Sequence, residues 1–184
     1  MKTAIFGGTF DPVHAAHLAM AREAADRWSL DRVLFIPAGN PPHKHADTPF
    51  EHRYRMVELA CAADSGFVAS RMEEGAEKSY SIHTIERVKA QNGEVYFIIG
   101  SDAFAEIRTW HRWEDVIRAV EFIVVARPGH QIAIPPGARV HRLDTLASPV
   151  SSSAIRDALT RGETPAELPS AVAAYIRAKG LYGS

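Results

Sequence analysis

The sequence predicts one doubly wound α/β domain, a parallel sheet with helices on both faces and a helical C-terminus. Three observations carry this. Short continuous apolar runs alternate with stretches of helical periodicity, and glycine and polar residues gather in the loops that follow the apolar runs. The 184 residues also suffice to close a core on both sides of one sheet and leave little room for a second domain.

The first 28 residues read as strand, loop and helix. Residues 3–6 form a buried strand that breaks at Gly7-Gly8, and 14–28 carry Leu18, Ala21, Ala25 and Trp28 at helical spacing. Asp11 is the expected cap, with Pro12 at the first helical position. A second unit follows: a strand over 32–36, a Pro/Gly/His-rich loop over 38–48, and a helix over 50–63 with Met56, Val57, Leu59 and Ala60 inward. Residues 67–70 form a short strand and 81–91 a helix ending near Asn92-Gly93. The uninterrupted apolar run at 95–99 predicts a strand covered on both faces. Short helices are expected over 101–107 and 113–119, a buried strand over 122–126 and an edge strand over 139–143. The end is helical: one helix from Ser152 or Ser153 to Leu159, another opened by Leu168-Pro169 and stopped at Gly180.

Composition narrows the function classes. A hydrophobic fraction of 46% and a charged fraction of 23% argue against disorder and fibrous architecture. With 21 basic against 22 acidic residues there is no global field for nucleic acid or an anionic membrane, so any phosphate must be met by locally placed groups. The single cysteine, Cys61, lies among Leu59, Ala60, Ala62 and Ala63, which predicts a buried thiol and a reducing compartment. Residues 1–6 lack signal-peptide anatomy and no apolar run is long enough for a membrane span, so the expected location is cytoplasmic.

In a doubly wound sheet with right-handed crossovers, ligands bind beyond the carboxyl ends of the strands. That points to the loops at 7–13, 38–48, 100–102 and 127–129. In the first, Gly7 and Gly8 let backbone approach a ligand and Thr9 adds a hydroxyl. His14 and His17, three apart in the first turns of a helix, share one face near its positive end, where anions are favoured. The helix terminus should depress an empty imidazole's pKa, and a bound polyphosphate should raise it. The same residues also describe an ordinary turn before a capped helix. A zinc pair is disfavoured, since no nearby Cys or second His pair completes a ligand set. Further on, Ser151-Ser152-Ser153-Ala154-Ile155-Arg156 opens an apolar-periodic helix with hydroxyls and a cation. Arg156 there opposes the helix dipole unless an anion is bound, although an unpartnered surface arginine fits as well.

Taken together, Gly7-Gly8-Thr9-Phe10-Asp11-Pro12-Val13-His14-Ala15-Ala16-His17 and Ser152-Ser153-Ala154-Ile155-Arg156 resemble the signature pair of the nucleotidylyltransferase superfamily. Further segments, in the same order, resemble the bacterial nicotinate mononucleotide adenylyltransferases: Ile36-Pro37, Pro41-Pro42-His43-Lys44, Ser79-Tyr80-Ser81, Phe97-Ile98-Ile99-Gly100-Ser101-Asp102, Thr109-Trp110-His111-Arg112-Trp113 and Arg127-Pro128-Gly129. The resemblance runs from Phe6 to Tyr182 and implies a Rossmann-like fold, with 1–184 as a single nucleotidylyltransferase domain. Two positions depart from the family pattern: Ala16 stands where glycine is usual, and His111 where tyrosine commonly follows the tryptophan.

The resemblance implies adenylyl transfer from ATP to nicotinate mononucleotide in NAD biosynthesis, with His14, His17, Lys44 and Arg156 as catalytic residues. By the same similarity Gly7, Gly8, Thr9, Phe10, His17, Gly100, Asp102, Ser152, Ser153 and Arg156 bind ATP. Lys44, Ser81, Asp102, Trp110 and His111 bind the mononucleotide, Trp110 by stacking on the pyridine ring and Ser81 with the His111 backbone by holding its carboxylate. Trp113 is expected in the core. Mg2+ is implied as a cofactor held mainly by ATP phosphates, with no dedicated protein ligands. The implied partners are ATP and the mononucleotide, not nucleic acid or membrane, with a homo-oligomer left open. Nicotinamide mononucleotide or phosphopantetheine as acceptor, and a non-catalytic nucleotide-binding module, are the competing readings. A dinucleotide-dependent dehydrogenase is disfavoured, since the first loop lacks Gly-x-Gly-x-x-Gly.

Overall fold

The computed structural model describes residues 1–42, 46–145 and 151–184. Six strands form one parallel sheet: β1 Lys2–Gly8, β2 Arg32–Pro37, β3 Phe67–Ala69, β4 Glu94–Gly100, β5 Glu121–Ala126 and β6 Arg139–Asp144. They lie side by side in the order β3-β2-β1-β4-β5-β6. The helices are α1 Ala15–Trp28, α2 Phe50–Cys61, α3 Ser81–Lys89, α4 Ser101–Ala105, α5 Trp113–Ala119, α6 Ser152–Thr160 and α7 Ser170–Lys179, with short 3-10 turns at Ile107–Thr109 and Leu181–Gly183. This is the doubly wound, Rossmann-like architecture expected, with its helical C-terminus.

Two faces of the sheet carry two cores, and strand residues alternate between them. Ala4, Phe6, Phe35, Ile98 and Val125 pack with α1, α2, α6 and α7. Ile5, Leu34, Ile36, Phe97 and Val124 pack with α3, α4 and α5. The chain winds outward from β1 through β2 to β3 with α1 and α2 on the first face. It then returns by α3 across the second face to β4 on the other side of β1. The winding direction therefore reverses between β1 and β4, and a crevice forms at such a reversal because the flanking loops diverge to opposite faces.

Several local readings are corrected. β1 continues through Gly7 and Gly8, which pair with Ile36 and Pro37, because a neighbouring strand satisfies glycine backbone that looks like a break in isolation. The helix expected over 101–107 divides into α4 and a 3-10 turn at Ile107–Thr109. α2 stops at Cys61, and Pro169 caps α7 rather than belonging to it. α1 meets the sheet through Ala16, Ala21, Ala24 and Ala25, small residues that allow close approach, while Leu18 and Trp28 are only partly buried. Gly180 takes the left-handed position, φ +62°, that ends α7. Cys61 is buried, and burial pushes its thiol up to about 12, an inert packing residue.

Candidate active site

β1 runs out at the reversal point, and the chain leaves it through a constrained turn. Phe10 has φ +50°, and a cis peptide joins Asp11 to Pro12. A left-handed phenylalanine is held at a cost of roughly 1–3 kcal/mol, so it persists only where the surroundings over-determine it. They do so here from four donors. Arg53 Nη1 of α2 donates to the Thr9 carbonyl at 2.9 Å, and Arg156 Nη1 of α6 to the Asp11 carbonyl at 2.8 Å. Ser152 Oγ donates to the Pro12 carbonyl at 3.0 Å, and the Tyr182 hydroxyl to Asp11 Oδ1. The Phe10 ring is buried edge-on against Phe6 and His17.

The glycines nearby behave differently from one another. A Cβ on Gly7 would come no closer than 4.0 Å to any protein atom, one on Gly8 would make only ordinary contact with the Phe10 ring at 3.4 Å, and one on Gly100 would meet nothing. Packing within the chain therefore does not require glycine at these three positions. Gly39 is the opposite case. Its Cβ would lie 1.9 Å from the Glu73 carbonyl oxygen, because the loop after β2 is stitched to the segment before α3. Asn40 N–H donates to Ser79 Oγ at 2.7 Å, and Ser79 N–H donates back to the Asn40 carbonyl at 2.9 Å. Burial pushes the nearby Glu73 carboxyl up, opposed by hydrogen bonds from Thr84 and Ser79.

α1 starts at Ala15, with His14 as its cap residue in extended conformation. The expectation that Asp11 caps and Pro12 opens this helix is thus corrected: the Asp11 carboxylate is drawn to Tyr182, leaving the start to His14. His17 Nδ1 accepts the His14 backbone N–H at 3.1 Å, the reach-back normally made by Glu or Gln in a capping box. Nδ1 must carry a lone pair to do this, so the neutral His17 ring holds its proton on Nε2. The two imidazoles stack, centroids 3.8 Å apart and 28° between planes. His14 is buried, and its Nδ1 is the one buried side-chain N or O among the described residues with no hydrogen bond. Burial, not the helix terminus, depresses its pKa to about 4, with Glu167 opposing. The Ala15 N–H is engaged by the Glu167 carbonyl at 2.7 Å and so is not on offer to a phosphate.

At α6, Ser151 is the cap, accepting the Ala154 N–H at 3.1 Å. Ser152 spends its one hydroxyl proton on Pro12, Ser153 is exposed, and Arg156, half-buried, uses one terminal nitrogen on Asp11. The N-terminus of α6 is thereby docked against the turn after β1. Beside them lies an open cleft of about 480 Å³ lined by Asp11, Thr48, Arg156 and Tyr182 among others.

A second cluster forms where α3 begins. Ser81 is its first residue and Tyr80 its cap. The His111 ring stacks on Tyr80, centroids 4.3 Å apart at 25°, with His83 edge-on to both. Trp110 is half-buried and meets Phe97 of β4 edge-on at 5.9 Å. Ser81, Trp110 and His111 therefore converge, and histidine at 111 keeps an aromatic stack. Arg112 is left-handed, φ +52°, and fixed by Asp115 at 2.9 Å and Glu86 at 3.0 Å. Trp113 packs on the second-face core, as expected. Gly100 ends β4, the strand next to β1, and Asp102 lies exposed in the first turn of α4, just beyond that strand's carboxyl end. Lys44 and His43 lie outside the described residues.

Three structural participants were not singled out from the sequence: Arg53, Tyr182 and Tyr80. Arg53 had a readable signal, since it falls on the inward stripe of α2 with Met56, Val57 and Ala60 and is only 2% exposed. Tyr182 had none. Among the described residues no three His, Cys, Asp or Glu side chains are grouped to hold a metal, and no helix is long and apolar enough to cross a membrane.

A cytidylyltransferase-like family profile matches residues 5–158. The chain is 59% identical to a protein of Solibacter usitatus (strain Ellin6076) named "Probable nicotinate-nucleotide adenylyltransferase", covering 99% of this chain and 100% of that one. It is 40% identical to a Pelobacter propionicus protein of the same name, covering 99% and 98%. Its fold matches the Plasmodium falciparum nicotinic acid mononucleotide adenylyltransferase complexed with NaAD, at TM-score 0.80 and 20% identity over 99% of this chain and 97% of that one.

Proposed function

The chain belongs to the cytidylyltransferase-like family, and from that premise we propose that it transfers the adenylyl group of ATP to nicotinate mononucleotide, in the NAD-forming direction. The observation that carries the reading is the meeting, at one turn, of the stacked His14–His17 pair and the Arg156-bearing end of α6. Neutral imidazoles and a cation at one turn are the kinds of donor that a phosphate calls for.

A phosphate oxygen of the mononucleotide attacks the α-phosphorus of ATP in line. The bond from that phosphorus to the bridging oxygen of the β-phosphate breaks, releasing pyrophosphate and leaving nicotinate adenine dinucleotide. The nucleophile is already anionic near neutral pH, so no general base is needed, and the protein contributes position and charge compensation. His17 donates through Nε2–H, with the His14 ring stacked beside it and the backbone at Gly7, Gly8, Thr9 and Phe10 around the α-phosphate. The remaining guanidinium N–H groups of Arg156, with the α6 backbone at Ser152 and Ser153, hold the leaving pyrophosphate. Gly100 and Asp102 border the ribose region, and Lys44 is assigned to the reacting phosphates on family resemblance. Ser81, Trp110 and His111 take the pyridine ring and its carboxylate.

Mg2+ would be carried mainly on ATP oxygens and water, where it would shield phosphate charge. The test is turnover of nicotinate against nicotinamide mononucleotide with ATP, following pyrophosphate and dinucleotide. We expect clear preference for the acid; preference for the amide would reassign the acceptor, and no pyrophosphate from either would remove adenylyl transfer.

A further inference from the structure

We propose that Arg53 is a positioning residue for the adenylyl-transfer step, acting without touching substrate by holding the left-handed Phe10 turn in its reactive shape. The inference rests on the function proposed above.

A fully buried arginine normally faces a carboxylate, because an unpaired cation in the interior is costly. Arg53 is 2% exposed and spends its guanidinium on three backbone carbonyls instead: Nη1 to Thr9 at 2.9 Å and Ala38 at 2.8 Å, and Nε to Thr48 at 2.9 Å. Burial pulls its pKa below the usual value, and the fields of Asp11 and Tyr182 restore part of it. The three carbonyls belong to two loops, the turn after β1 and the loop after β2. One rigid fork thus ties together the segments that border the crevice at the carboxyl ends of adjacent strands.

The placement on Thr9 is what gives the tie a role in catalysis. Phe10, strained at φ +50°, lies between two carbonyls gripped by guanidinium groups, Thr9 by Arg53 and Asp11 by Arg156. Its ring in turn packs edge-on to His17 at 5.0 Å and to Phe6 at 5.6 Å. Releasing the Thr9 carbonyl lets Phe10 relax toward negative φ, which moves the His17 imidazole and the amides on either side together. Donors that stabilise a transition state lose their effect with small displacements, whereas ground-state binding tolerates them better. The signature is therefore a fall in kcat with little change in either KM.

The variants are Arg53→Ala and Arg53→Lys, with Arg55→Ala on the exposed face of the same helix as control. Three measurements are made on each: steady-state kcat and both KM values well below the melting temperature, kcat with added guanidinium ion, and amide hydrogen exchange at Phe10 and Asp11. For Arg53→Lys, whose ammonium lacks the planar fork, we expect kcat to fall about 10- to 100-fold with KM within about threefold. Exchange at Phe10 and Asp11 should accelerate while core strands stay protected, and guanidinium ion should restore part of kcat in Arg53→Ala. Should Arg53→Ala fail to fold, Arg53→Lys carries the test. Folded Arg53→Lys with wild-type kcat and unchanged exchange at Phe10 overturns the proposal. A loss confined to melting temperature or to KM overturns it too. Failure of the functional reading is distinct: the wild-type protein would then release no pyrophosphate, and the exchange measurement alone would judge the clamp.

Discussion

The Nδ1 atom of His17 accepts the backbone N–H of His14 at 3.1 Å while the two rings stack with centroids 3.8 Å apart. One residue of the pair caps the helix and fixes its partner's ring, and that bond leaves the proton of the neutral His17 ring on Nε2. Structure and chemistry at position 17 are therefore separable by substitution.

Asparagine at 17 retains an acceptor for the His14 N–H and loses the distal Nε2–H. His17→Asn should keep a melting temperature close to wild type while kcat drops by about two to four kcal/mol of transition-state stabilisation, or about 30- to 1000-fold. His17→Ala loses the cap as well, a further cost of about 1 kcal/mol in stability. Near-normal turnover in His17→Asn would remove His17 from the mechanism.

His14 gives the fold a defined acid sensitivity. Its imidazole titrates near 6.5 when unfolded and is depressed to about 4 by burial in the folded protein. The unfolded chain binds a proton there that the folded one refuses. This part of the stability is complete above pH 6.5 and is lost as pH falls from 6.5 through 4, by about 3 kcal/mol in all. Urea unfolding of wild type and His14→Gln at several pH values checks it: the difference between the curves should change over that interval, and parallel curves would show that His14 is not the titrating group.

Arg156 holds the Asp11 carbonyl with one terminal nitrogen, and its remaining N–H groups are the ones proposed above to meet a phosphate. Arg156→Ala should raise KM for ATP more than KM for the mononucleotide, by about tenfold or more, as expected for loss of a charge-assisted contact. An unchanged ATP dependence would return Arg156 to a purely structural role on the turn.

Tyr182 donates its hydroxyl to the Asp11 carboxylate, and burial drives the phenol pKa upward. Tyr182→Phe leaves that buried carboxylate short of a donor and should cost about 1–3 kcal/mol, read as a lower urea midpoint. A midpoint equal to wild type would mean that solvent replaces the hydroxyl.

Gly39→Ala places a methyl group 1.9 Å from the Glu73 carbonyl oxygen. Backbone on both sides must move, so we expect destabilisation of about 1–3 kcal/mol or more. Gly100→Ala, where the Cβ meets no protein atom, should leave stability unchanged and affect nucleotide binding alone. Equal melting temperatures for the two variants would contradict the packing at Gly39.

Much of the fold was legible because its signals are local. Continuous apolar runs such as Val95–Ile99 marked strands buried on both faces, and helical spacing marked the crossovers between them. The position of the crevice followed from that alternation, and so did the candidacy of His14, His17 and Arg156 as polar residues at the ends of strands or starts of helices. Where neighbours in sequence misled, tertiary pairing had overridden them: Gly7-Gly8 remains strand because β2 lies alongside, and Asp11 does not cap α1 because Tyr182 engages its carboxylate.

By itself, then, the sequence determined the alternation of strand and helix, the two-faced core and the loops that hold the candidate site residues, since each rests on the periodicity and turn preferences of adjacent residues. Only the tertiary structure decided how the turn after β1 is held. Arg53 reaches Thr9 across 44 residues, Arg156 reaches Asp11 across 145, and Tyr182 reaches the same residue across 171. Contacts at such separations exist only once the strand order has closed the intervening loops, and no short-range pattern encodes which donor then meets which carbonyl.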